Sequence, residues 1–255
     1  MKKKKPSISI IVPCYNEEKN LRGTMESIKE AIEETGGFSG YEILIFNDKS
    51  TDRTGEVAEE IKKDEKGVKV IHNRRNMGFG YNYTEGVRRA AKEFIMMVPG
   101  DNEIPAPAIK KIFSVAGAAD IIVPYTTNIE VRPPVRRVIS KAFVILFNTL
   151  FGLRLRYYNG TCVIKAALLK KVPMTTHGFA YMASILVKLI KSGASFSEVG
   201  IEIRHRGAGT SKAFRVKNIA SVASEIIKLL WEVRVSRRSH YSSTVRRVDN
   251  AVASS

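Results

Sequence analysis

The chain has 255 residues, 44% hydrophobic and 26% charged, which is enough apolar material for one sizeable core. Its 18 glycines, 9 prolines and 2 cysteines, Cys14 and Cys162, exclude collagen-like, disordered and disulfide-scaffold classes and point to a reducing compartment. The net charge of +17 is unevenly placed: residues 1–131 hold 20 Lys+Arg and 20 Asp+Glu, whereas residues 132–255 hold 22 against 5 and carry the whole excess. Such asymmetry asks for an anionic partner on the second half: nucleic acid, a membrane surface or a phosphorylated substrate. The basic start, residues 1–6, leads into an apolar run of about seven residues broken by Ser9, too short for a signal-peptide core, so no export is expected.

In chain order, short β-branched runs alternate with amphipathic stretches, the pattern of βα units around a mostly parallel sheet. Residues 7–13 read as a buried strand. Asn16 is placed to cap a helix with Leu21, Met25, Ile28 and Ile32 on one face, and Gly36 with Gly37 stops it. Residues 41–47 form the second strand, and Asp52 precedes a helix with Val57, Ala58 and Ile61 inward. A third strand is expected over 68–72, a helix over 83–92, a fourth strand over 94–98, a helix from Pro105 and a fifth strand over 120–125. In sheets of this kind ligands gather at the carboxyl ends of the strands, and the polar clusters at 13–17, 47–52 and 99–103 fall there.

After residue 131 the character changes. Arg132, Arg136, Arg137 and Lys141 lead into an apolar run over 142–153, followed by Arg154 and Arg156. Twelve residues do not span a bilayer, which takes about 20 in a helix. The run either lies on a membrane with its arginines at the headgroups or forms a buried core helix, and the pattern leaves both open. Residues 217–233 keep helical spacing through Ile219, Val222, Ala223, Ile226, Leu230 and Val233. The tail from Ser236 is polar and basic and is expected to be loose.

The three clusters read Pro13, Cys14, Tyr15, Asn16, Glu17, Glu18; Asn47, Asp48, Lys49, Ser50, Thr51, Asp52; and Pro99, Gly100, Asp101, Asn102, Glu103. Asn76, Gly78, Gly80 and Gly86 form a further segment, N-x-G-x-G-x-x-x-x-G. Together these resemble the family 2 nucleotide-sugar glycosyltransferases with a GT-A fold, over roughly residues 7 to 215. The resemblance implies residues 1–6 as a basic tail, residues 7–215 as one GT-A domain, an α/β fold with a mostly parallel sheet between helices, and residues 216–255 as a helical extension with a basic tail.

The resemblance also implies roles. Asp48 matches the position that meets the nucleotide base and Glu17 the one near the ribose, with Pro13, Tyr15, Asn76 and Gly78 completing the nucleotide site. Asp101, with Glu103 as a second oxygen donor, would hold Mn²⁺ or Mg²⁺ against a diphosphate leaving group. The family's usual D-x-D here has Pro99 in the first position. Arg206 and Lys212 lie in R-x-x-G-x-S-K, as in polyprenyl-phosphate sugar synthases of the dolichyl-phosphate mannose or glucose type, and would neutralise phosphates.

The carboxylates usual on the acceptor side of those synthases are replaced here by residues 157–162, which include Asn159, and by residues 179–184. No general base is evident. A hydroxyl acceptor needs one, whereas a phosphate monoester, with a second pKa of about 6, is already largely ionised at neutral pH. Together with the resemblance, this gives the expectation of hexose transfer from a nucleoside-diphosphate sugar to polyprenyl phosphate at the cytoplasmic face of a membrane, and the resemblance implies inversion. Arg132, Arg136, Arg137 and Lys141 would dock on anionic lipid. A membrane-anchored protein partner is compatible with the sequence; nucleic acid is not expected, because no aromatic platform interleaves with the basic residues. A hydroxyl acceptor, or a non-catalytic lipid-binding module on the same fold, remains the alternative. The four histidines are scattered without zinc spacing, and nothing beside Cys14 suggests a catalytic thiolate.

Overall fold

The computed structural model describes residues 5–174, 178, 180–204 and 216–249, with side chains from residue 222 onward in the last stretch. Its centre is β1 (Ser7–Cys14), whose last seven residues are all buried. Apolar character on both faces suits a strand inside a parallel sheet, and the one buried hydroxyl, Ser9, donates to Glu42 at 2.8 Å. β1 pairs in parallel with β2 (Gly40–Asn47) on one side and β4 (Phe94–Met97) on the other. β3 (Val68–His72) joins β2. β6 (Val163–Lys165) runs antiparallel to both β4 and β5 (Ile121–Thr126), so β5 points the same way as β4. β7 (Ser195–Ile201) and β8 (Arg246–Arg247) complete the order β3-β2-β1-β4-β6-β5-β7-β8.

Two apolar layers form on the two faces. Ile8, Ile10 and Val12 pack against α1 (Leu21–Thr35), α2 (Thr54–Asp64) and α4 (Ala106–Ser114). Ile11 faces the other way, into a core built with α3 (Phe79–Arg89), α5 (Pro134–Phe151), the short α6 (Ala166–Leu169) and α7 (Tyr181–Lys191). The period of two along β1 thus sorts its side chains between layers. α3 approaches β1 at Gly86, where a Cβ would lie 2.6 Å from Ile11 Cδ1, so the last glycine of the N-x-G-x-G-x-x-x-x-G segment is a packing requirement.

Several local expectations shift. α1 is capped at Asn20, not Asn16; Glu17 O receives the N–H groups of Asn20 and Leu21, which sets the helix start one turn later. Its end at Gly36 is as expected, in the left-handed region at φ 50°. The apolar run at 142–153 belongs to α5, an 18-residue helix that buries only Phe147 and Phe151. Val135, Val138, Ile139, Ile145 and Leu146 are exposed, so α5 is half core and half surface. Among the described residues no helix is long and apolar enough to cross a membrane.

The tail is not loose over residues 236–249. α8 (Val216–Trp231) runs into a π-helical turn at Glu232–Ser236, and the chain then returns to the sheet as β8, parallel to β7. Two ion pairs hold this return. Lys188 on α7, 2% exposed, meets Glu232 at 2.8 Å, and Tyr241 donates its hydroxyl to the same carboxylate at 3.2 Å. Arg247 lies 3.2 Å from the buried Glu198 of β7.

Two predictions follow from this packing. Gly86→Ala is expected to lower stability by about 1–3 kcal/mol through overpacking against Ile11, read by chemical denaturation. Glu232→Gln leaves the Lys188 ammonium buried without a counter-charge and is expected to cost about 3 kcal/mol, whereas the paired change Lys188→Met with Glu232→Leu restores most of it.

Candidate active site

The parallel registers Cys14 with Asn47 and Ile11 with Met97 bring the exits of β1, β2 and β4 to one sheet edge. Three non-glycine residues take left-handed backbone there, one per exit: Asn16 at φ 59°, Lys49 at φ 61° and Asn102 at φ 54°. These are the only non-glycine residues of positive φ among those described. Each costs of order 1–2 kcal/mol for an L-residue, and such strain persists where surrounding contacts enforce it.

Those contacts are visible. The Asn16 side-chain oxygen accepts the Thr51 N–H at 2.8 Å, and the Asn16 N–H donates to Ser50 Oγ at 3.1 Å. The Glu17 N–H donates to Thr54 Oγ1 at 2.8 Å, and the Glu18 N–H to Asp52 Oδ2 at 3.3 Å. The first and second clusters are thereby laced together. Gly100 N–H reaches Pro13 O at 3.1 Å, and a Cβ at Gly100 would lie 2.5 Å from Cys14 Sγ, so only glycine lets the third cluster close on the first. The Asn102 N–H donates to Thr24 Oγ1 on α1 at 3.0 Å.

Asp48, 3% exposed, organises the second cluster. Its Oδ1 accepts from Asn73 Nδ2 at 2.7 Å and from the Met77 N–H at 2.8 Å, and its Oδ2 accepts the Gly78 N–H at 2.8 Å. Gly78 caps α3 at φ 84° and ψ 168°, a conformation open essentially to glycine alone. The carboxylate of the second cluster therefore ties down the N-x-G segment. Asn76 stands exposed on that loop, and Tyr15 is half-buried on the first cluster. Glu17 accepts from Asn20 Nδ2 at 2.7 Å.

Carboxylates converge on Cys14. Burial pushes its thiol pKa well up, and the charges of Glu17, Asp101 and Asp52 push it further. A buried thiol held neutral in this way is a poor nucleophile, and carboxylates of all three clusters act on it. Asp101 Oδ1 accepts the Glu103 N–H at 3.3 Å, which closes a tight turn with two oxygen donors on one loop. That donor chemistry fits a hard divalent cation shared with phosphate oxygens; among the described residues no three-member His, Cys, Asp or Glu group forms a complete protein cage.

Arg204, which sequence reasoning missed, is tied to this loop: its N–H reaches Glu103 O at 2.8 Å, and its guanidinium reaches Asn102 Oδ1 at 2.8 Å. The only signal for it was a basic residue shortly after a strand. Arg206 and Lys212 lie outside the described residues.

β5 opens at the same edge, and α5 follows it in the chain. Arg132 donates to the Tyr157 hydroxyl at 2.9 Å, and Arg156 covers the Tyr125 ring at 4.6 Å. Arg136 and Arg137 are half-buried on α5, and Lys141 and Asn159 are exposed. Glu198 does not face the site as a base. It is buried in β7, where it accepts the Arg156 N–H at 2.7 Å and meets Arg247, and burial raises its pKa.

With this geometry in place, comparison with known proteins is decisive at the level of family: the pattern for glycosyl transferase family 2 matches residues 9–179, well over half the chain. The chain belongs to glycosyl transferase family 2. It is 26% identical over 245 residues to a dolichol-phosphate mannosyltransferase of Pyrococcus furiosus, covering 92% of this chain and 67% of that protein. It is 25% identical over 253 residues to a dolichyl-phosphate beta-glucosyltransferase of Trichomonas vaginalis, covering 90% of this chain and 77% of the relative. Glucosyl-3-phosphoglycerate synthase of Mycobacterium tuberculosis, solved with Mn²⁺, UDP and glucosyl-3-phosphoglycerate, superposes with a TM-score of 0.62 at 14% identity. That match covers 89% of this chain and 79% of the synthase and places this family 2 chain in the GT-A fold.

Asp48→Asn would turn one acceptor toward an N–H donor. The expected result is a loss of about 1–3 kcal/mol of stability and weakened nucleotide binding, checked by denaturation and by calorimetry with UDP and GDP in Mn²⁺.

Proposed function

We propose that this transferase moves a hexose from a nucleoside-diphosphate sugar to polyprenyl phosphate at the cytoplasmic surface of a membrane, inverting the anomeric centre. The observation that carries this reading is the shared sheet edge: the three polar clusters meet at the exits of β1, β2 and β4, and the chain leaving β5 enters a helix, α5, that is cationic at its start and apolar on its exposed side. The mannosyl- and glucosyltransferase relatives named for dolichyl phosphate support the acceptor class. The absence of an acceptor-side carboxylate at residues 157–162 supports an acceptor that brings its own ionised oxygen.

In the reaction the lipid phosphate oxygen forms a bond to the anomeric carbon while the bond from that carbon to the diphosphate breaks, its electron pair leaving with the nucleoside diphosphate. Asp48 holds the 73–78 loop as one wall of the nucleoside pocket, and Glu17 lies on the opposite, first cluster. Asp101 with Glu103 would hold a divalent cation, which when bound neutralises charge on the leaving diphosphate. Arg204 stiffens that loop from behind through Asn102 and Glu103. Arg206 and Lys212 serve the phosphates. Arg132, steadied by Tyr157, stands with Arg136, Arg137 and Lys141 for the headgroup side, and Asn159 lines the acceptor approach. The two buried free thiols, Cys14 and Cys162, accord with a reducing compartment.

Purified protein with Mn²⁺, polyprenyl phosphate and radiolabelled nucleotide sugars is expected to yield organic-phase product, and Asp101→Ala to reduce it by roughly 100-fold or more. Water-soluble product would shift the assignment to a hydroxyl acceptor. No product with any sugar, together with vesicle binding, would leave a lipid-binding module.

A further inference from the structure

Of the ten large apolar side chains exposed among the described residues, nine fall within 129–146 and 227–235. The second stretch lies on the C-terminal extension, to which the transfer reaction assigns no part. Ile227, Trp231 and Val235 are 67%, 63% and 54% exposed and recur every four residues, so they form one ridge along α8 and its π turn. The opposite side is core, with Leu229 and Val233 buried. Between this ridge and the end of α5 lies an open groove of about 600 Å³ lined by Leu150, Ile227, Leu230, Trp231 and Val235. Arg234 spans it, donating to Leu150 O at 2.6 Å. The ridge therefore borders the C-terminal end of α5.

The charge around the ridge has one sign. Lys228, Arg234, Arg237 and Arg238 are exposed, and the one carboxylate in residues 226–248, Glu232, is spent on Lys188 and Tyr241. A second copy of the chain would set these cations against each other, whereas an anionic bilayer complements them. Tryptophan with flanking arginines suits the boundary between headgroups and acyl chains. The ridge is also rigidly joined to the acceptor side, through Lys188 to α7 and through Glu225, which abuts Gly178 just before α7.

We propose that α8 and its π turn are a second membrane-docking element, in which Ile227, Trp231 and Val235 enter the interfacial zone of an anionic bilayer while Lys228, Arg234, Arg237 and Arg238 neutralise its headgroups. This rests on the membrane-surface part of the function above and extends it to a segment that the donor and acceptor motifs do not reach. With α5 it gives the chain two lines of attachment, which fixes the tilt of the sheet edge over the membrane.

Trp231 is the single tryptophan, so its fluorescence reports on this ridge alone. With vesicles of phosphatidylglycerol and phosphatidylcholine the emission is expected to shift to the blue and to be quenched by brominated lipid. The double variant Ile227→Glu with Val235→Glu, both at exposed positions, is expected to bind roughly tenfold more weakly or worse, with its thermal unfolding unchanged. Three results would overturn the proposal. The first is co-sedimentation with those vesicles without any change in Trp231 emission, which leaves α5 as the sole contact. The second is a blue shift that appears with rising protein concentration in the absence of lipid, with a dimer in sedimentation velocity. The third is no binding to any vesicle, which removes the membrane reading as well and leaves sugar transfer to be judged by the product assay alone.

Discussion

The register of β1 is the constraint on which the rest of the molecule depends. Buried on both faces, it pairs in parallel with β2 and β4, and those pairings place Cys14, Asn47 and Met97 at one edge. A slip of one residue would exchange Ile11 with Ile10 and Val12 between the two cores, so the alternation of side chains forbids it. The convergence of three polar clusters is thus a consequence of hydrophobic sorting. The strained residues Asn16, Lys49 and Asn102 are where the chain turns sharply enough to exploit it.

Within that edge, burial and charge divide the labour. Asp48 is covered and spends its oxygens on the loop before α3, so it acts on that loop through shape and position. Asp101 and Glu103 are more open and share a short turn backed by Arg204. Burial raises the thiol pKa of Cys14, and the charges of Glu17, Asp101 and Asp52 raise it further. A field of that sign favours cations, and the third cluster sets its own oxygen donors within it.

The second half resolves its charge into a surface with direction. α5 presents apolar side chains outward beside its cations, and α8 carries its own apolar ridge across a groove from the end of α5, bridged by Arg234. The buried pair of Lys188 and Glu232 makes the extension part of the body and not an appendage. A buried ion pair is costly to assemble and costlier to break, so it specifies where α8 sits without adding much stability.

Much was legible from the sequence because it is local. Runs of β-branched residues marked five strands, Gly36 marked a helix end, and four motifs in order marked the family. The charge asymmetry, too, is a property of order along the chain. What the tertiary structure decided was nonlocal. Asn16 reads as a cap but faces Thr51, because a contact 35 residues away outcompetes the adjacent helix. The apolar run at 142–153 read equally as core or surface, since period alone does not say which neighbours cover a helix; only packing shows Phe147 inside and Leu146 outside. Residues 246 and 247 carry no strand signal and join the sheet through β7 and Glu198, an edge that exists only once the rest has folded.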